Sequence, residues 1–234
     1  MKCIRLAVFA SGRGSNFQAI LRAIDEKRLS AEVVVVISNN PNALALQIAA
    51  ARNIAALVIQ KKDFPGRQEF VQSMIGALNR HGTEFILLAG YMKKIPPEVV
   101  NRYKNRILNI HPALLPSFGG QGMYGSHVHE AVLAEGCRVS GVTVHLVDEV
   151  YDRGPIVAQK CVPVLEGDTP ETLAARVLQV EHRLFAEAVQ LFADERVEVV
   201  GRRVKIKEKI KDQRSKTKDQ RIKILKRLHK CMIK

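Results

Sequence analysis

Two polar residues interrupt the apolar run "ILNIHPALLPSF", Ile107 to Phe118: Asn109 and His111, two positions apart, with Pro112 directly after them. In a strand, residues i and i+2 share a face, so amide and imidazole project together while Ile110 turns the other way. An amide N–H beside a group that exchanges protons near neutral pH suits acyl transfer. Asn109 could hold a developing oxyanion and His111 could move or share a proton. The plainer alternative is a hydrogen-bonded pair within a core.

Three other places carry chemistry-bearing residues. In "DEVYDRGP", Asp152 precedes a Gly-Pro turn; brought beside His111, its carboxylate would orient the ring and raise the imidazole pKa, whereas a solvated turn aspartate does neither. "SGRGSN" follows one apolar run and opens a helical one, where free N–H groups and the helix dipole attract an anion. Gly12 and Gly14 allow close approach, and Ser15 and Asn16 add donors. With no third glycine and no Lys-Ser/Thr, the loop suits a single phosphate monoester better than a dinucleotide or a nucleoside triphosphate; a plain strand-to-helix turn explains the glycines equally. Glu181 lies at helical spacing among Val177, Leu184, Phe185 and Ala188, so a carboxylate faces the core. Burial without a partner is costly, so an internal Arg or Lys, or the hydroxyl groups of a ligand, must satisfy it. A metal site built from His127, His129, His145, Asp148 and Glu149 lacks a third ligand of fixed spacing, and no metal is expected.

The elements that position these residues are legible as alternation. "IRLAVFA", "VVVVIS", "AALVI", "FILLAG" and "RILNIHP" are strand-length apolar runs, separated by helical stretches at about 15–28, "ALALQIAAARN", about 68–81 and a short one after Pro96 and Pro97. Apolar strands between helices imply a parallel sheet covered on both faces, a Rossmann-like α/β fold whose ligands lie at the strands' carboxyl ends. After a helix near 127–135 the pattern changes. "VSGVTVHLVDE" and "PIVAQKCVPVL" are joined only by "VYDRG", too short for a crossover, so they form an antiparallel hairpin. Asp168 or Thr169, then Pro170, opens a long helix to about Ala193, and "VEVVGRRVKI" reads as one closing strand. The expected layout is one α/β domain at 1–206, with halves at 1–106 and 107–206, and a basic appendage at 207–234.

Composition bounds the class. The 234 residues carry a net charge of +14, but residues 201–234 hold 15 Lys and Arg against 3 acidic residues, which leaves the rest near neutral. The tail is expected to be a basic helix or disordered, and contact with nucleic acid or another acidic surface is conceivable only there. No apolar run approaches the ~20 residues of a membrane helix. The four cysteines show no ligand or redox spacing, and the start reads as a strand rather than a signal peptide, so a cytoplasmic location is expected.

Taken in order, "SGRGSN", "LAGYMKKI", "ILNIHPALLPSF", "HLVDEVYDRGP" and "EGDTPETLAARVLQVEH" resemble the folate-dependent glycinamide ribonucleotide formyltransferases over residues 1 to about 205. The sequence leaves monomer and homodimer open; the resemblance implies formyl transfer from 10-formyltetrahydrofolate to the amine of glycinamide ribonucleotide. It implies a catalytic set of Asn109, His111 and Asp152. Gly14, Ser15, Asn16, Pro112 and Glu181 would bind the substrate, its phosphate on the loop and its ribose near Glu181. The folate would meet Met92, Lys93, Lys94, Ile95, Val100, Ile107, Asn109 and the loop from Asp148 to Asp152, with Arg67 on its glutamate tail. Lys93 replaces an arginine frequent in the family, and "GGQGMYGSH" is a longer glycine loop than usual. Other formyltetrahydrofolate enzymes, a hydrolase or a tRNA formyltransferase, are the nearer rivals, and a nucleic-acid-binding module acting through the tail is the more distant one.

Overall fold

The computed structural model describes residues 2–208; the expected basic tail lies almost wholly outside the described residues. The five apolar runs form β1 (Ile4–Phe9), β2 (Ala31–Ser38), β3 (Ala55–Val58), β4 (Phe85–Leu88) and β5 (Ile107–His111), all parallel. Between them lie α1 (Ser15–Asp25), α2 (Leu44–Ala51), α3 (Arg67–Arg80) and α4 (Pro97–Arg102). α5 (Ser126–Ala134) then leads to the hairpin of β6 (Val139–Leu146) and β7 (Ile156–Pro163), and α6 (Pro170–Ala193) leads to β8 (Val197–Val200) and β9 (Arg203–Ile206). One sheet holds all of these strands in the order β3-β2-β1-β4-β5-β6-β7-β9-β8.

Strand alternation divides the core into two layers. Ile4, Leu6 and Val8 of β1 pack with Phe17 and Ile20 of α1 and Phe185 of α6, while Ala7 and Phe9 face Met74 and Leu78 of α3 and Val99 of α4. With both faces covered, the strands need no polar side, which explains why they read as unbroken apolar runs. α6 starts at Thr169, whose side chain caps the backbone of Thr172, a bond typically worth ~1 kcal/mol. Asp168 pairs with Arg176 through two contacts of 2.7 Å.

The closing segment corrects one expectation. "VEVVGRRVKI" is two strands, because Val200 pairs with Arg203 across a two-residue turn at Gly201 and Arg202. Gly201, at φ 59°, supplies the backbone conformation such a hairpin turn needs at its first central position.

Candidate active site

β5 delivers Asn109 and His111 side by side at its carboxyl end, as their spacing predicts. The next strand is antiparallel and sets His145 directly opposite Asn109, and Thr143 opposite His111. The loop between β6 and β7 then returns Asp152 over the pair. It can fold so tightly because Gly154 lies against the Leu146 carbonyl, where any Cβ would collide. Asp152 itself has φ 53°, an uncommon conformation for a non-glycine residue and one associated with functional loops.

The four side chains form one network. Asp152 Oδ2 lies 3.7 Å from His111 Nδ1 and accepts the Gly120 N–H at 2.8 Å. Its Oδ1 lies 3.5 Å from His145 Nε2 and 3.4 Å from Asn109 Nδ2. His145 Nδ1 is 2.9 Å from the Leu146 carbonyl, which can only accept, so that nitrogen carries the proton and Nε2 accepts from Asn109 Nδ2 at 3.0 Å. By the same reasoning His111 Nε2 donates to the Phe118 carbonyl at 2.8 Å. One amide hydrogen of Asn109 is therefore well held, while the other rests on a long contact that a developing oxyanion can replace.

Burial decides the protonation states. His111 is 3% exposed, and desolvation lowers its pKa more than the nearby Asp152 and the Phe118 carbonyl raise it. The expectation of an imidazole raised by its carboxylate is thus corrected: Asp152 does push it up, but loss of water wins. Burial also pushes the Asp152 carboxyl up, yet the adjacent His145 ring, the Gly120 N–H and the nearby His111 side chain together outweigh it, and the pKa lies below its ordinary value. At rest the pair is an ionised carboxylate beside a neutral imidazole.

At the carboxyl end of β1, Gly14 adopts φ 73°, with Ala45 of α2 where a Cβ would point. No side chain caps α1, so its first-turn N–H groups stay open to an anion. Asn16 differs from expectation: its amide donates to Glu181 Oε2 at 3.1 Å rather than facing the loop. Glu181, 7% exposed, therefore has neither the Arg nor the Lys expected of a buried carboxylate; among the described residues its partner is that single neutral amide. Burial raises its pKa, and the Asn16 bond offsets this only partly.

A cavity of about 860 Å³ joins these regions, within the ~300–1,000 Å³ usual for a small-molecule site. Ser15, Asn16, Pro112 and Glu181 line it on the α1 side, Asn109, His111 and Asp152 at its centre, and Met92, Lys93, Lys94, Ile95 and Asp148 on the other side. Arg67, Val100 and Ile107 do not line it. Arg67 pairs with Glu98 at 2.9 Å on the surface, and Val100 and Ile107 are packed in the layer under α3 and α4. Gly14 shapes the turn without reaching the wall.

Sequence reasoning missed Arg13 and His129 as lining residues, and missed His145 as the partner of Asn109; Tyr151 lines the cavity from within the expected loop at 148–152. Tyr151 lies under the Lys94 ammonium at 5.4 Å. His129 is buried with Nδ1 unpartnered and its pKa lowered by desolvation and by His111. The glycine loop also gains a role, since Gly120 holds Asp152.

Most of the chain is similar to known proteins. A family model described as formyl transferase matches residues 4–189. A chloroplastic phosphoribosylglycinamide formyltransferase of Arabidopsis thaliana is 45% identical over 82% of this chain, which spans 66% of that relative's length. The phosphoribosylglycinamide formyltransferase of Bacillus subtilis (strain 168) is 37% identical, over 80% of this chain and 93% of its own. Among solved structures, glycinamide ribonucleotide transformylase 1 from Symbiobacterium toebii superposes with a TM-score of 0.83 at 41% identity, covering 88% of this chain and 95% of that one.

Proposed function

This chain belongs to the formyl transferase family, and on that premise we propose that it moves a formyl group from 10-formyltetrahydrofolate to the primary amine of glycinamide ribonucleotide, a step of purine synthesis. The observation that carries this reading is the meeting of Asn109, His111 and Asp152 around one cavity whose far wall is the open start of α1.

The folate supplies an activated formyl carbon, and this chain's residues supply everything around it. Backbone N–H groups of Ser15 and Asn16 hold the substrate's phosphate at the start of α1. Glu181 accepts from, or when protonated donates to, the ribose hydroxyls, and Pro112 keeps β5 from continuing over the amine. As the amine nitrogen bonds to the formyl carbon, the carbonyl electrons move to oxygen, and the Asn109 amide turns from Asp152 to hold the oxyanion. Neutral His111 takes the proton released by the amine. The imidazolium so formed is stabilised by the carboxylate of Asp152 at 3.7 Å, which was ionised before the reaction began. As the oxyanion reforms the carbonyl and the bond from carbon to the folate nitrogen breaks, that nitrogen takes the proton from the imidazolium. Removing one oxyanion donor typically costs ~100 to 1000-fold in rate.

Residues 92–95 and the loop from Asp148 to Asp152 flank the folate in this reading, and Arg67 could reach the glutamate tail only after leaving Glu98. Residues 1–106 serve as the phosphate-binding half and 107–206 as the catalytic and folate half. Cys3, Cys137 and Cys161 are free thiols, which suits a reducing compartment such as the cytoplasm.

The test is formyl transfer by the purified chain, followed by the absorbance change as 10-formyltetrahydrofolate is consumed, with and without glycinamide ribonucleotide. Turnover that depends on the amine supports the reading. Turnover that proceeds equally without it means a hydrolase and overturns it.

A further inference from the structure

A second cavity, of about 300 Å³, opens at the opposite end of the central strands, where β4 and β5 begin. Its lining is Asn79, Thr83, Arg102, Tyr103 and Arg106. Tyr103 and Thr83 are buried, at 4% and 9% exposure, and the other three are exposed. Two guanidinium groups thus stand over a mostly buried floor, and among the described residues no carboxylate lines the cavity and neither arginine forms an ion pair.

The arginines have local bonds, but these leave most of their donors unused. Arg102 donates to Asn79 Oδ1 at 3.0 Å, and Arg106 donates to the Arg102 carbonyl, the exposed end of α4, at 2.9 Å. A guanidinium carries five N–H donors in a fixed fork matched to oxyanions. Arg106 is further fixed by lying over the Tyr103 ring, 5.2 Å from its centroid. Both positive charges are felt at the Tyr103 hydroxyl, where they oppose the upward push of burial on its pKa. On the floor, the Thr83 hydroxyl has no hydrogen-bond partner, unusual for a buried polar group. Arginines serving only the helix end would leave unexplained both this orphaned hydroxyl and the absence of a carboxylate.

We propose that this cavity is a binding site for a phosphate-class oxyanion, with Arg102 and Arg106 as its charged wall and the Thr83 hydroxyl as a donor from below. The site is separate from the one at the start of α1, since the two occupy opposite ends of the sheet.

Titration of the isotope-labelled full chain with inorganic phosphate at constant ionic strength, read by amide NMR shifts, tests this. Saturable shifts are expected at Thr83, Tyr103 and Arg106, distinct from any at residues 12–16. In the Arg102→Gln/Arg106→Gln double variant the first set should weaken at least tenfold while the second is unchanged. Shifts confined to residues 12–16, or an undiminished response in the double variant, overturn the proposal. Thr83→Val is the milder variant: the hydroxyl has no bond to lose, so thermal stability should hold while binding weakens several-fold, and undiminished binding removes that hydroxyl from the site. Adenosine monophosphate is titrated in parallel. Binding tighter than phosphate assigns the site to esters, equal binding assigns it to the free ion, and binding of neither overturns it.

Discussion

Asp152 and Glu181 are both buried carboxyl groups on the wall of one cavity, and their surroundings drive them in opposite directions. Asp152 sits on a loop and collects a backbone N–H, an amide and two imidazoles. Glu181 sits in the middle of a 24-residue helix and has one amide. Desolvation is the largest influence on each, but only at Asp152 is it overcome. The difference separates two uses of a carboxyl group. A carboxylate fixed in its charged form can stabilise charge that appears during a reaction, whereas one whose charged form is disfavoured by burial protonates more readily and can then donate a hydrogen bond as well as accept one.

The sharpest way to break this comparison is to remove the charge of Asp152 while keeping its shape. Asp152→Asn is expected to lower kcat by on the order of 1000-fold or more, as when a carboxylate that supports a catalytic imidazole is lost, with circular dichroism and thermal unfolding close to wild type. Asn109→Ala should follow at ~100 to 1000-fold, the usual loss for an oxyanion donor. Near-normal turnover in either purified variant would remove that residue from the chemistry.

The pH profile probes the same contrast. Neutral His111 is the working form, so kcat/KM should be flat around pH 7 and fall as the pH drops through the lowered His111 pKa, below the ordinary ~6.5. In Asp152→Asn the carboxylate no longer raises that pKa, so the residual activity should hold to still lower pH. An acid limb that moves upward instead would mean that Asp152 does not face the imidazole.

These contrasts also mark where the sequence stops being readable. The parallel strands were legible because burial on both faces leaves unbroken apolar runs, and Asn109 with His111 because a period of two settles their common face. Glu181 was visible as a misfit in an apolar stripe. Its partner was not: Asn16 is 165 positions away, and a neutral amide carries no charge pattern to search for. The direction of the His111 shift is illegible for a related reason, since a nearby carboxylate can be guessed from a motif but the loss of water depends on how the whole cavity packs. The last turn has a signal in the sequence, Gly201 in the middle of the closing segment.

Glu181→Gln sharpens the comparison from the other side. An acid whose folded pKa is raised contributes stability below its unfolded value, and that contribution is lost as pH rises through the folded pKa; Asp152, shifted down, contributes stability above its unfolded value that is lost as pH falls. Glutamine imitates the protonated form. The variant should therefore be more stable than wild type at pH 8 and about equal near pH 4, by thermal unfolding, while its KM for glycinamide ribonucleotide rises ~10-fold, the scale of one hydrogen bond to a charged group. A variant less stable than wild type at pH 8 would show that Glu181 is held ionised by something other than Asn16.

The smallest effect is expected at His145, which lines the cavity but has its two ring nitrogens turned to its neighbours. Its Nε2 holds the Asn109 amide and its Nδ1 is fixed by the Leu146 carbonyl, so it sets the direction of the oxyanion donor. His145→Phe keeps a ring of similar breadth in this buried position and removes both nitrogens. Asn109 then loses a net ~1 kcal/mol of hydrogen bonding and can turn fully toward Asp152. Turnover should fall ~10-fold with little change in either KM, because both ring nitrogens are already engaged by Asn109 and Leu146. In the Asn109→Ala background the same change should cost almost nothing, since there is no amide left to orient. Equal losses in the two backgrounds would mean that His145 acts on Asp152 instead, and the network would then be organised around the carboxylate alone.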